Sequence, residues 1–371
     1  MIVEKKSFHS KDGLQLRCGK SLPELTVGYE CYGELNEKKS NAILLCHALT
    51  GDAHAAGKYH EDDPKPGWWD TMIGPGKAFD TNQYYVVCSN ILGSCYGTTG
   101  PSSINPETGQ AYKLDFPMIT ISDMVNAQHE LMKDLQIDKW LLVTGGSLGG
   151  MQALQWSVAY PDKVHACLPV ATTASLSPQA IAFDWVGREA IRSDKDFNDG
   201  DYQEKLPESG VSVARMLAHI TYLSEESMNQ KFGRELQESK DYNFEFNYDF
   251  KVESYLNYQG AQFVNRFDAN SYLYITRAMD YFHLAEEGEG SLDKAMDKTS
   301  CRFMIISFSS DWLFPPSQSM TVVKALQANK REVSYCEVQS DYGHDAFLLE
   351  VDSLGDLVRH FLHYQKKSFV R

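Results

Sequence analysis

One serine on a glycine-rich turn, followed far downstream by an aspartate and a histidine on loops, is a set of residue types that can perform nucleophilic acyl chemistry. The serine is Ser147, within Leu141-Leu142-Val143-Thr144-Gly145-Gly146-Ser147-Leu148-Gly149-Gly150-Met151. A serine hydroxyl is a weak nucleophile at neutral pH and needs a base beside it, with a third group orienting that base. His344 stands in Gln339-Ser340-Asp341-Tyr342-Gly343-His344-Asp345, and Asp311 in Ser309-Ser310-Asp311-Trp312. Asp341 and Asp345 are alternative acids, although a residue so near the histidine in a loop does not easily reach the far ring nitrogen. His47 and His54 invite a metal reading, but their spacing matches no zinc-ligand pattern and no carboxylate cluster joins them.

Elements must hold these residues in place, and the chain around Ser147 supplies them. Trp140 to Val143 form a short apolar run, as expected of a strand covered on both faces. Met151, Ala153, Leu154, Trp156 and Val158 continue as a helix that Pro161 ends. Ser147 then occupies a strand-to-helix elbow, where Gly145 and Gly149 are needed because a Cβ would strike the neighbouring strand or helix. Backbone strain at such a turn costs roughly 1–3 kcal/mol and implies a reason to tolerate it.

Further strand-like runs are Ala42 to Cys46, Tyr84 to Cys88, Val164 to Val170, Phe303 to Phe308 and Val333 to Val338. With helical segments between them they predict a mostly parallel sheet flanked by helices. One such helix can be capped by Ser122, with Asp123 in its first turn, and another carries Leu354, Leu357, Val358, Phe361 and Leu362. Asp311 and His344 each fall just past the end of a strand. The order Ser147, Asp311, His344 is that of the α/β-hydrolase fold. Its oxyanion hole takes one backbone N–H from the residue after the nucleophile, here Leu148, and one from an early loop, here assigned to Leu49. Between about Thr173 and Lys298 the composition changes to helix-like segments rich in aromatic, Met, Glu and Gln residues. The expected organisation is a core of residues 1–173 and 298–371 with a helical cap inserted at 174–297.

Bulk properties narrow the function classes. Hydrophobic residues make up 43% of the 371, ample for a large core. No run approaches the roughly 18 apolar residues of a membrane span, and Met1 to Lys6 lack the apolar core of a signal peptide, so a cytoplasmic location is expected. The eight cysteines are scattered singly and read as reduced. A net charge of −15 argues against nucleic acid as a partner. It does not exclude an anionic substrate, because screening over about 8 Å lets a few local cations act despite an acidic whole.

Longer motifs narrow them further. His47-Ala48-Leu49-Thr50-Gly51-Asp52-Ala53-His54, Gly145 to Gln152, Ala214-Arg215-Met216, His219-Ile220-Thr221-Tyr222-Leu223-Ser224, Lys231-Phe232-Gly233-Arg234 and Gly343-His344-Asp345-Ala346-Phe347-Leu348 closely resemble the homoserine O-acetyltransferases, through essentially the whole chain. The resemblance implies acetyl transfer from acetyl-CoA to the hydroxyl of L-homoserine, for methionine biosynthesis, by a ping-pong route through acetyl-Ser147. It implies no cofactor or metal beyond the CoA substrate, and a cytoplasmic homodimer formed through the cap. Residue by residue it makes Ser147 the nucleophile, His344 the base, Asp311 its partner, and Arg215 and Asp345 the homoserine contacts, with Tyr222 lining the same site. A guanidinium suits the amino acid's carboxylate, and a carboxylate beside the base suits its ammonium. Three rivals stand beside this reading. A serine esterase would use the same triad with water as acceptor. L-serine as acceptor differs by one methylene, worth only about 1–3 kcal/mol of discrimination. A non-catalytic binding protein on the same scaffold would be expected to have lost a triad member.

Relatives of this fold transfer succinyl, and the resemblance associates that preference with an arginine two positions after the triad aspartate. Here that position is Leu313. A buried succinyl carboxylate without a cation costs several kcal/mol, enough for orders of magnitude in rate. The kcat/KM for acetyl-CoA is therefore predicted to exceed that for succinyl-CoA by orders of magnitude, and Leu313→Arg to narrow the gap. Comparable values for the two donors would contradict the inference.

Overall fold

Apolar runs too short for helices become six of the strands of one eight-stranded sheet, which two small two-stranded sheets accompany. In the computed structural model, which describes residues 1–202, 205–237 and 240–369, the strands are β1 (Lys6–Ser10), β2 (Leu25–Tyr32), β3 (Ala42–Cys46), β4 (Tyr85–Ser89), β5 (Leu142–Gly146), β6 (Ala166–Val170), β7 (Arg302–Phe308) and β8 (Val333–Val338). Their spatial order is β1-β2-β4-β3-β5-β6-β7-β8. β1 with β2 and β2 with β4 are antiparallel, and the remaining pairs are parallel. Every residue of β3, β5 and β6 is buried, as a strand covered on both faces requires. Alternate residues face opposite cores: Leu44 and Val143 pack with Met124, Leu131 and Trp156, whereas Ile43 and Leu142 pack with Trp69, Phe79 and Leu362.

The helices are α1 (Ile121–Asp134), α2 (Leu148–Ala159), α3 (Pro178–Arg192), α4 (Glu208–Tyr222), α5 (Glu225–Phe232), α6 (Lys251–Val264), α7 (Ala269–Asp280), α8 (Leu292–Asp297), α9 (Pro316–Ala328), α10 (Ala346–Leu349) and α11 (Val351–Phe369). α3 to α8 all lie between β6 and β7, in the stretch whose composition differs from the rest. Among the described residues no helix is long and apolar enough to cross a membrane.

Two expectations change. The cap of α1 is Thr120, not Ser122: Asp123 accepts from the Thr120 N–H at 2.8 Å while Thr120 Oγ1 accepts from the Asp123 N–H at 3.3 Å, a reciprocal box that Ser122 stands too late to form. β1 and β2 had no apolar run to announce them. β1 mixes Lys, Ser and His and owes its strand structure to antiparallel pairing, whereas β2 alternates Leu25, Val27 and Tyr29 with Thr26, Gly28 and Glu30, a period of two rather than a continuous apolar run.

Candidate active site

Ser147 sits at φ 58° and ψ −124°, a backbone region that L-residues rarely adopt. Its N–H donates to the Val170 carbonyl at 3.0 Å, and Thr172 Oγ1 donates to its carbonyl at 2.8 Å. The end of β3 presses against this turn. A Cβ on Gly145 would stand 2.3 Å from the Cys46 carbonyl oxygen, and one on Gly149 2.1 Å from it. The serine faces a cavity of about 40 Å³ that it shares with Leu49, Asp184, Tyr222, Tyr272, Leu313 and Phe314.

The imidazole of His344 lies against this cavity's wall. It packs edge-on to Phe314, with centroids 5.0 Å apart, and lies 6.0 Å from the Tyr222 ring. Its Nδ1 meets Asp311 Oδ2 at 2.8 Å. Asp311 Oδ1 accepts from the N–H groups of Leu313 and Phe314 at 3.1 and 2.9 Å, which fixes the carboxylate. An ionised carboxylate only accepts, so Nδ1 carries the proton and the lone pair belongs to Nε2. That Nε2 is buried and has no protein hydrogen-bond partner among the described residues, Ser147 included. Burial works to lower the pKa of His344, but the charge and hydrogen bond of Asp311, with the charge of Asp345, outweigh it and leave the pKa raised. Asp341 is exposed, and it is Asp311 that meets the His344 ring; the Asp341 backbone carbonyl accepts from Ser224 Oγ just after α4. Gly343, at φ 75°, makes that docking possible, since a Cβ there would stand 2.4 Å from the Ser224 nitrogen.

Arg215 and Asp345 bring opposite charges to the same neighbourhood. Burial pushes the Asp345 carboxyl up, helped by the charge of Asp311 and opposed by His344 and Arg215. Arg215 lies over the rings of Phe263 and Tyr222, 4.8 and 5.8 Å from their centroids, and Nη1 donates to Thr50 Oγ1 at 3.3 Å. Its Nε is buried without a hydrogen-bond partner among the described residues. Burial and the charge of Arg215 push His219 down to about 3, so that ring is neutral.

The early loop is braced from within. His47 Nδ1 donates to the Ala48 carbonyl at 2.8 Å and Nε2 accepts from the Ile91 N–H at 3.2 Å, so both ring nitrogens hold the loop that carries Leu49. His54 is engaged separately, with Nδ1 3.0 Å from Glu30 Oε2. Leu148 is the first residue of α2, and its N–H has no acceptor within the helix. Several lining residues escaped the sequence reading, Tyr272, Phe314 and Asp184 among them. Asp184 on α3 joins the cavity, and burial and the charge of Asp280 push its carboxyl well up. A lone carboxylate between Phe183 and Trp185 was the available signal.

With this geometry in hand, known proteins are informative. The family profile described as alpha/beta hydrolase fold matches residues 41–351. Homoserine O-acetyltransferase from Methanohalobium evestigatum is 56% identical over 363 residues, covering 98% of this chain and 74% of that protein. The chain belongs to the homoserine O-acetyltransferase family. It is accordingly an acyltransferase. The crystal structure of homoserine O-acetyltransferase from Bacillus anthracis superposes with a TM-score of 0.91 at 33% identity, covering 98% of each chain. Esterase E22 superposes almost as well, with a TM-score of 0.90 at 33% identity over 97% of this chain and all of its own. Transferases and hydrolases thus share this backbone, and side chains around the acceptor must separate them.

Only neutral His344 can accept a proton, so its raised pKa moves the loss of activity on the acid side upward. The kcat/KM profile is predicted to fall with an apparent pKa above the ordinary 6.5. Asp311→Asn should shift that limb to lower pH and slow turnover about 10³–10⁴-fold. A limb at or below 6.5 that the substitution leaves in place would contradict the assignment.

Proposed function

We propose that the protein transfers the acetyl group of acetyl-CoA to the hydroxyl of L-homoserine, giving O-acetyl-L-homoserine and CoA. The observation that carries the reading is that buried Arg215 and Asp345 act on each other's charge while Asp345 also acts on His344, so a cation and a carboxylate share the neighbourhood of the base, as recognition of an amino acid's two charged groups requires. The 56% identity to a protein named for this reaction supports it.

The chemistry would proceed by ping-pong exchange. Ser147 Oγ attacks the thioester carbonyl while His344 Nε2 takes its proton, and the Leu49 and Leu148 amides hold the oxyanion. The carbon–sulfur bond breaks, the thiolate leaves with the proton from His344, and an acetyl ester remains on Ser147. Homoserine then enters with its carboxylate at Arg215 and its ammonium at Asp345. His344 takes the hydroxyl proton, the oxygen attacks the acetyl carbon, and Ser147 recovers its proton. Tyr222, whose hydroxyl burial pushes up to about 12, stays neutral beside Arg215 and walls the site. In this reading α3 to α8 act as the cap that keeps water from the acyl-enzyme, and Leu313 leaves no cation for a carboxylated acyl group. The exposed Trp185, Val186, Val213 and Ile220 on α3 and α4 support pairing of two copies through that cap.

The likeness to an esterase favours one alternative, with water as the acceptor. A steady-state assay of CoA release from acetyl-CoA separates the two. Release is predicted to depend on L-homoserine and to vanish in Ser147→Ala, while Arg215→Ala raises the KM for homoserine by about 10-fold or more. Equal rates with and without homoserine would establish hydrolysis instead.

A further inference from the structure

Behind the elbow runs a chain of buried hydrogen bonds that the mechanism above does not use. Trp156 Nε1 donates to Gln128 Oε1 at 2.7 Å, Gln128 Nε2 donates to Gln152 Oε1 at 2.8 Å, and Gln152 Nε2 donates to the carbonyls of both His47 and Leu148 at 3.3 Å. The three side chains are at most 1% exposed. Chemistry sets the polarity of this chain. An indole N–H only donates, so Gln128 must turn its oxygen toward Trp156 and its NH₂ toward Gln152. Gln152 must then accept with its oxygen, which leaves its NH₂ for the two carbonyls. Reversing any amide would set donor against donor, or oxygen against oxygen, out of reach of water.

The two carbonyls at the end of the chain belong to different pieces of backbone. His47 opens the loop that carries Leu49, and Leu148 follows the nucleophile. These pieces supply the two oxyanion N–H groups in the acyl-transfer reading. Gly149 lets them approach, since a Cβ there would meet the carbonyl oxygens of Cys46 at 2.1 Å and His47 at 3.3 Å. The side chain of Gln152, one turn along α2, bridges what Gly149 allows to touch.

We infer that Gln152 is a positioning residue for the oxyanion hole, holding the Leu49 and Leu148 amides at a fixed separation, and that Trp156 and Gln128 act through it by setting the direction of its amide. The inference rests on the acyl-transfer reading. Trp156 touches neither substrate nor the reacting atoms, yet its N–H determines which end of Gln152 faces the loop. Cys46 Sγ, 4.0 Å from Gln128 Oε1 and 3.9 Å from Gln128 Nε2, expresses no comparable preference, because a thiol is weak in both roles.

A double-mutant cycle on kcat tests it, using Trp156→Phe and Gln152→Met, with Gln128→Met as a second way to cut the relay. Each single variant is expected to lower kcat about 10-fold, less than the loss of a whole oxyanion donor, with the KM values for acetyl-CoA and homoserine changed less than about twofold. Trp156→Phe should add nothing in the Gln152→Met background. Affinity for a trifluoromethyl ketone, which forms a tetrahedral oxyanion adduct on Ser147, should fall by the same factor as kcat. A structural role alone would move thermal midpoints without that parallel. Multiplicative effects of Trp156→Phe and Gln152→Met, or a loss of kcat at unchanged ketone affinity, would overturn the inference. A wild-type enzyme in which Ser147 does not consume acetyl-CoA would overturn the acyl-transfer reading itself, and the relay's role with it.

Discussion

The site depends on one backbone contact: the carbonyl of Cys46, at the end of β3, lies where side chains on Gly145 and Gly149 would otherwise be. Because both positions are glycine, the central strand can run up against the strand-to-helix turn of its neighbour. That contact sets the early loop over the N-terminus of α2 and places Leu49 in the same cavity as Ser147. It also forces the turn to be tight, and Ser147 takes up the cost in a strained conformation that hydrogen bonds to Val170 and from Thr172 hold in place. A methyl group at either glycine would force the end of β3, and with it the loop that carries Leu49, away from the turn that carries Ser147.

The same logic extends to the other half of the site. His344 is positioned by its bond to Asp311 and by the docking of its loop onto the end of α4. Gly343 admits the backbone of Ser224, and Trp312, next to Asp311, donates from Nε1 to the Leu223 carbonyl at 2.9 Å. The segment between β6 and β7 is therefore tied by hydrogen bonds to both loops, the one that bears Asp311 and the one that bears His344. Leu217, Ala218, Thr221 and Tyr222 of α4 line the cavity that Ser147 faces, so the helix that anchors the His344 loop also forms part of the cavity wall. Movement of that segment relative to the sheet would alter His344 and the cavity wall together.

Much of this was legible in the residues because local rules and tertiary demands agree there. The strand before Ser147 and the helix after it are strongly apolar, the glycines bracket the serine, and Asp311 and His344 follow strands whose bounds the structure places within a residue of the apolar runs. Legibility ended where structure comes from pairing across the chain. β1 is polar enough to pass for loop and becomes a strand only by pairing with β2, which in turn pairs with β4. Thr120 and Ser122 are equally good caps in isolation, and only the reach of Asp123 decides between them. Asp184 and the Trp156-Gln128-Gln152 chain join side chains from different helices, and no spacing pattern reports such a meeting. Arg215 could be assigned by family likeness but not oriented, since its position over Phe263 depends on how α4 packs on α6.

The central claim is that Ser147 carries the acetyl group between donor and acceptor. Intact-protein and peptide mass spectrometry after mixing with acetyl-CoA alone tests it most directly. The account predicts an acetyl adduct on the peptide containing Ser147 that persists without acceptor and is discharged by L-homoserine as O-acetyl-L-homoserine. An enzyme that forms O-acetyl-L-homoserine with no adduct on Ser147 would contradict it, as would an adduct discharged to acetate at the same rate whether or not homoserine is present.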